Sequence, residues 1–183
     1  MILSIPYQRF EITNIQLHHF MLRKYNRNIA LLTYQDDMIT FKDITLLTPP
    51  MKVLQYNMKT SMLRLDVSYE IAFQLKMYTF YEYVTNLLFM NQYAFFNETQ
   101  LSYEMIRQSF YTMLTKSVLS LYIHPASIVK HSEKETDGVS ISDVQPGDMV
   151  RCIIRIQGIS QLLGKDGLRL RLHHSVPSIW KSA

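Results

Sequence analysis

The sequence predicts an α+β fold: a small barrel of five core strands, with a large helical insertion between the third and the fourth. Three observations predict it. Short runs at 29–34, 38–47, 61–69, 118–123, 149–156 and 168–172 are apolar-rich, and several alternate apolar with polar side chains, as half-buried strands must. Between about Tyr69 and Ser117, apolar residues recur at helical spacing instead. All five glycines (138, 147, 158, 164 and 167) lie towards the C-terminal end, so earlier turns must rely on Asn, Asp and Pro.

Each element has its own reason. IALLTY (29–34) runs into Gln35-Asp36-Asp37, a turn signal, and MITFKDITLL (38–47) resumes the β pattern. The two read as a hairpin, stopped by Pro49-Pro50. In 61–69, Leu63, Leu65, Val67 and Tyr69 share one face, and Met62, Arg64, Asp66 and Ser68 the other. A first helix follows to Met90, with Ser68 as its expected N-cap. Its expected apolar side is Ile71, Leu75 and Tyr78, then Tyr81, Val84 and Leu88. Asn91–Asn97 reads as a connection. A second helix is expected over about Thr99–Ser117, with Leu101, Met105, Ile106, Phe110, Met113 and Leu114 along one side.

VLSLYI (118–123) reads as a strand closed by Pro125, Ser132–Gly138 as an exposed acidic loop, and Val139–Ile141 as a short extra strand. Pro146-Gly147 is a tight turn. In Met149–Ile156, Val150, Cys152, Ile154 and Ile156 face one way, and Met149, Arg151, Ile153 and Arg155 the other. After the loop Gly158–Gly167, Leu168, Leu170 and Leu172 point inward, and Arg169, Arg171 and His173 outward. Three strands, a helical block and a strand pair follow the order of an OB-fold. The helical element is enlarged here, and an additional strand precedes the fourth.

The 183 residues make one domain, 1–183, with the OB-like barrel drawn from about 29–69 and 118–176 and the insertion from about 70–117. Hydrophobic residues reach 48% and charged residues 19%, which supplies a core and excludes wholesale disorder. Lys plus Arg is 19 against 15 for Asp plus Glu, a net charge of +4, which permits an anionic partner without demanding one. Cys152 is the only cysteine, so no internal disulfide and no Cys-rich zinc site can form, and a reducing intracellular setting is expected. No run approaches the roughly 18 apolar residues of a membrane span, and the N-terminus lacks a secretory pattern, so no membrane association is expected.

The constellation that carries chemistry is the C-terminal hairpin. Period two sets Arg151 and Arg155 on one face of the first strand and Arg169 and Arg171, continued by His173, on one face of the second. With the apolar faces inward, all four arginines are expected on one outer surface, which repels itself unless something anionic meets it. A phosphate backbone is the expected partner, with Lys165 in the loop available to it and guanidinium groups able to stack on bases. Lys42 and Arg64 lie on the earlier strands, and Tyr34 and Phe41 flank the first hairpin turn, where OB-folds bind ligands. Tyr34 and Phe41 are the expected base contacts, while Lys42 and Arg64 are expected to assist the backbone contacts. The tyrosines and phenylalanines of the helical block are expected to serve packing or self-association.

Residues 141–172 resemble the C-terminal end of the single-stranded DNA-binding proteins of large eukaryotic DNA viruses. The resemblance rests on Pro146-Gly147-Asp148, the strand Val150–Gln157, Gly158-Ile159, and Gly167 before the last strand. It implies an OB-fold, sequence-tolerant single-stranded DNA binding in replication, recombination or repair, and a location at sites of viral DNA replication. Where that family carries aromatics after the Gly-Ile pair and in the last strand, this chain has Ser160-Gln161 and Arg169-Leu170-Arg171. Charge therefore carries more of the expected binding. RNA stays open as a ligand, because the 2′-hydroxyl is read by individual contacts.

Other chemistries find little support. His18-His19 and His173-His174 lack the spacing to chelate from a strand, and Asp36-Asp37 has no further carboxylates around it, so no metal is expected. GKDG (164–167) is not a P-loop, no nucleophile motif is present, and Cys152 lies on an inward face. No cofactor and no catalysis are expected. The alternative to nucleic-acid binding is a structural or adaptor protein of a viral assembly, using the aromatic-rich helical block to bind proteins.

Overall fold

A computed structural model describes residues 3–23, 27–97, 99–124, 127–130, 140–162 and 167–182. In chain order the strands before the helices are β1 (Ile5–Pro6), β2 (Ile15–Arg23), β3 (Arg27–Asp36), β4 (Ile39–Phe41), β5 (Ile44–Leu47), β6 (Met51–Asn57) and β7 (Met62–Asp66). The helices α1 (Ile71–Met90), α2 (Gln92–Phe96) and α3 (Tyr103–Ser109) come next. Then follow β8 (Phe110–Tyr111), β9 (Leu114–Thr115), β10 (Val118–Tyr122), β11 (Ile128–Lys130), β12 (Met149–Leu162) and β13 (Leu170–Lys181). The fold is α+β, mostly strand, with the helical block between β7 and β10.

β12 is the hub of the sheet. One edge pairs with β13 over nearly its whole length. The other edge meets three strands in turn: β6 at Met149–Val150, β5 at Ile153–Ile156 and β3 at Gly158–Leu162. Gly158 makes the last junction possible, since a Cβ there would sit 2.4 Å from the carbonyl oxygen of Ala30. At the first junction, Thr48 Oγ1 accepts from the Cys152 N–H at 2.9 Å and donates to the carbonyl of Pro49. From β6 the sheet continues through β7 and β10 to β9, all antiparallel. β11 and β8 each add to β13 in parallel.

The strands β3, β4, β7 and β10 lie where the sequence places them, and Val150, Cys152, Ile154 and Ile156 are all buried; but β12 runs on to Leu162 through the start of the expected Gly158–Gly167 loop, Ile153 is buried too, and Tyr69 is exposed. Several boundaries need correction. The run 38–47 breaks at Lys42-Asp43 into β4, which pairs with β3, and β5, which pairs with β12 instead. Pro49-Pro50 stops β5, but β6 starts at once, and β2 was not foreseen. The last strand runs to Lys181 rather than Leu172, because β11 and β12 pair with its far half. Ile141 begins a short 3-10 turn, not a strand. Pro125, Ser132–Gly138 and Val139 lie outside the described residues.

The helical block also departs from its pattern. α1 is apolar nearly all round, so periodicity alone cannot choose its inward face. Phe73, Met77, Phe80, Tyr81, Val84 and Leu88 are buried, while Ile71, Leu75 and Tyr78 are exposed. Glu70, not Ser68, is the N-cap; Asp66 captures the Ser68 N–H instead, at 2.9 Å. α3 is short, capped by Ser102 Oγ accepting from the Met105 N–H at 3.1 Å, with Glu104 in its first turn and Arg107 in its last, which suits the helix dipole. The expected helix over 110–117 is replaced by β8 and β9, drawn out by pairing with β13 and β10.

One core joins sheet and helices. Phe10 stacks on Tyr34 (5.3 Å) and on Phe80 (5.8 Å), and Tyr81 meets Phe110 edge-on. The Tyr81 hydroxyl accepts from the buried Met113 N–H at 2.8 Å, with the Arg107 guanidinium 5.3 Å from its ring. Burial pushes this phenol above the ordinary tyrosine range.

Candidate functional site

The register of β12 on β13 decides which arginines are neighbours. Arg151 lies opposite Trp180 and Arg155 opposite Ser175, whereas Arg171 lies opposite Ser160. Between Ser175 and Arg171 the strand runs roughly 13 Å, and between Trp180 and Arg171 roughly 30 Å. Two bulges, at Ile153/Arg155 and Ile156/Gly158, bend β12 on the way. The four arginines therefore do not form one patch, which corrects the expected single surface. Arg151 stands at one end of the hairpin, Arg155 midway, and Arg169 and Arg171 at the other end.

The first pair is tied into the structure. Arg151 is half-buried and its Nε donates to the carbonyl of Thr48 at 3.0 Å. Arg155 forms an ion pair with Asp43 at 3.8 Å, next to exposed Lys42.

The second pair stands at a basic end of the sheet. Arg171 is exposed, with its guanidinium 5.7 Å from the ring centre of Tyr111, itself exposed. Across the strands, Met21, Ile29, Ser160, Arg171 and Tyr111 fall in one register row. Two rows further towards the strand ends, Arg23 pairs with Arg27, and Arg27 with Leu162. The Leu162 N–H donates to the carbonyl of half-buried Arg169 at 3.0 Å. Arg23 and Arg27 are the residues that sequence reasoning missed. The signal was the basic run Arg23-Lys24-Tyr25-Asn26-Arg27 before the strand at 29–34. Lys165 lies outside the described residues.

The remaining expected residues scatter. Tyr34 is 2% exposed, stacked on Phe10, and its hydroxyl accepts from the Glu11 N–H at 3.1 Å. It is a core residue and its ring cannot meet a base. Phe41 is half-buried against the same core. Arg64 is exposed on β7 between Gln55 of β6 and Ser120 of β10, away from the β12–β13 hairpin's pairing. His173 is half-buried opposite Gly158, just inside Arg171.

Buried Cys152 has its thiol pushed up to about 12 by desolvation, which leaves it unreactive at neutral pH. Among the described residues no cluster of His, Cys, Asp and Glu could hold a metal, and no helix is long and apolar enough to cross a membrane. Compared with protein-family models and with curated proteins, the chain matches none.

Proposed function

We propose that this chain is a non-catalytic, sequence-tolerant binder of single-stranded DNA, acting in replication, recombination or repair. The observation that carries this reading is the paired arginine row. Arg23 and Arg27 are direct register partners, with Arg169 and Arg171 completing the same end of the sheet. Basic residues that share one end of a sheet suit a phosphate backbone as counter-charge. Tyr111 beside Arg171 adds a ring to the cationic surface, the combination that single strands use.

The strand pairing supports an OB-like arrangement for the scaffold. β5–β6, β7, β10–β11, β12 and β13 serve as the five core strands, with β12 against β5–β6 and β11 parallel to β13. On this reading, which counts β5 and β6 together as the first core strand, the insertion falls between the second and third core strands.

Fluorescence anisotropy with a labelled 30-nucleotide oligo-dT, at low and near-physiological salt and with duplex DNA as competitor, tests the proposal. Binding that weakens steeply with salt and resists duplex supports it; no binding at low salt overturns it.

A second reading has its own observation. Tyr69, Ile71, Leu75 and Tyr78 leave an apolar stripe exposed along the start of α1, which favours a protein-binding role for the helical block. Sedimentation of the wild type against Ile71→Asp/Leu75→Asp tests it through self-association.

A further inference from the structure

Trp180 is the only tryptophan of the chain, and the sheet sets it between two cations. β13 passes between β12 and β11, and the register pairs Trp180 with Arg151 on one side and with Lys130 on the other. Residues paired across strands share a face of the sheet. In the adjoining row Val129, Ile179 and Cys152 are all buried. Lys130, Trp180 and Arg151 therefore point the other way, out of the core, and each is half-buried. Two residues along β12 the same outer face carries Met149, which is 41% exposed and pairs with exposed Lys52 of β6.

The indole does little for the fold. Among the described residues, no aromatic ring packs on it, no cation stands over it, its N–H makes no hydrogen bond, and it lies apart from the core cluster. A tryptophan with a structural role ordinarily buries its ring and finds a partner for that N–H. Arg151 is held in place, its Nε spent on the Thr48 carbonyl at 3.0 Å, so it forms a wall beside the ring. Lys130 and Lys52, to either side, make no ion pair among the described residues.

We infer that Trp180 is a stacking platform for one base of a single strand, with Lys130 and Lys52 meeting the phosphates on either side of it. Every base has a π-face, so a ring set among cations takes any of them, and the ammonium groups on flexible stems follow the backbone as point charges. The inference rests on the single-strand reading and adds to the arginine row a second contact on the same strand. Pairing carries the outer face of β13 from Trp180 through Ser175, opposite Arg155, to Arg171. That path is roughly 30 Å long, and about nine nucleotides cover it even at a stacked rise of ~3.4 Å. A 30-nucleotide oligo-dT reaches both contacts.

Because Trp180 is the only tryptophan, intrinsic fluorescence excited beyond the tyrosine absorption reports on this site alone. Titration of the full chain with oligo-dT should quench it, in step with the anisotropy of the labelled strand. Trp180→Ala should weaken oligo-dT about tenfold, the loss of one stacked base, and leave the salt slope unchanged. Trp180→Phe should recover most of that affinity. Lys52→Gln/Lys130→Gln should instead lower the slope of log affinity on log salt by about 1.4, as two lost single-strand phosphate contacts do. Binding seen by anisotropy with unchanged tryptophan emission overturns the platform and leaves the single-strand reading standing. If oligo-dT does not bind at all, that reading fails by itself. Quenching by millimolar thymidine monophosphate, and not by inorganic phosphate, would then support the site for a free nucleotide. No quenching, or equal quenching by phosphate as an ion effect only, overturns it.

Discussion

The backbone N–H of Tyr122 on β10 donates to Nε2 of His174 on β13 at 3.2 Å, while His174 Nδ1 lies 3.0 Å from the carbonyl of Leu172. With the proton on Nδ1, this imidazole must be neutral to bridge two strands that share few other contacts. Desolvation by burial holds its pKa below the ordinary histidine value. Between pH 7 and 5 the unfolded chain takes up this proton more readily than the folded one, so stability is complete above the unfolded value near 6.5 and falls as the pH drops. Thermal melts of the wild type should therefore lose several degrees over that window more than those of His174→Gln do. Parallel profiles would show that the bridge does not carry the effect.

The Tyr81 hydroxyl accepts the buried N–H of Met113 at 2.8 Å, deep where helix and sheet meet. Tyr81→Phe keeps the ring packing and strands that N–H, which costs about 1–3 kcal/mol. In a chain of this size the melting temperature should fall by roughly 2–10 °C, with the ring contact to Phe110 retained. A calorimetric scan measures it.

Gly158 holds β3 against β12. The 2.4 Å approach to the Ala30 carbonyl involves backbone on both sides, so neither partner can swing away. Gly158→Ala should cost about 1–3 kcal/mol. Chemical denaturation should show a lower midpoint, and hydrogen exchange should show lost protection at Ile29–Leu31 first.

The two arginine pairs should separate by assay. Arg169→Glu/Arg171→Glu should weaken oligonucleotide binding and flatten its salt dependence, with the melting temperature little changed, because each released phosphate contact lowers the slope of log affinity on log salt by roughly 0.9 for duplex and 0.7 for single strands. Arg151→Ala should do the reverse. It removes a bond to the Thr48 carbonyl at the β5–β6 bend, so stability falls while the salt slope holds. If Arg151→Ala flattened the slope as much as the double variant, the division of the hairpin would be wrong.

Much of the fold was legible because the physics behind it is local. Alternation in Leu63–Val67 told the inward face directly, since a strand with one wet side must repeat every second residue, whereas in Val150–Ile156 it missed Ile153, which β5 and β13 cover on both sides. The turn at Gly147, with φ of 95°, needs the residue the sequence supplies. α1 was legible as a helix but not in phase, because apolar residues surround it and only the sheet decides which side is covered. Residues 110–117 carried a helical pattern, and tertiary pairing overrode it.

The candidate site divides the same way. That a C-terminal hairpin would be basic, and that Cys152 would be buried, followed from the sequence by itself. That Arg151 stands at the far end from Arg169 and Arg171 with Arg155 midway, that Arg23 and Arg27 join the latter by register, and that Tyr34 is sealed in the core were decided by tertiary structure alone. The physical reason is that side-chain period reports which face a residue occupies but not its partner across the sheet. Register depends on bulges, on strand length and on which neighbour arrives, and those are properties of the folded chain.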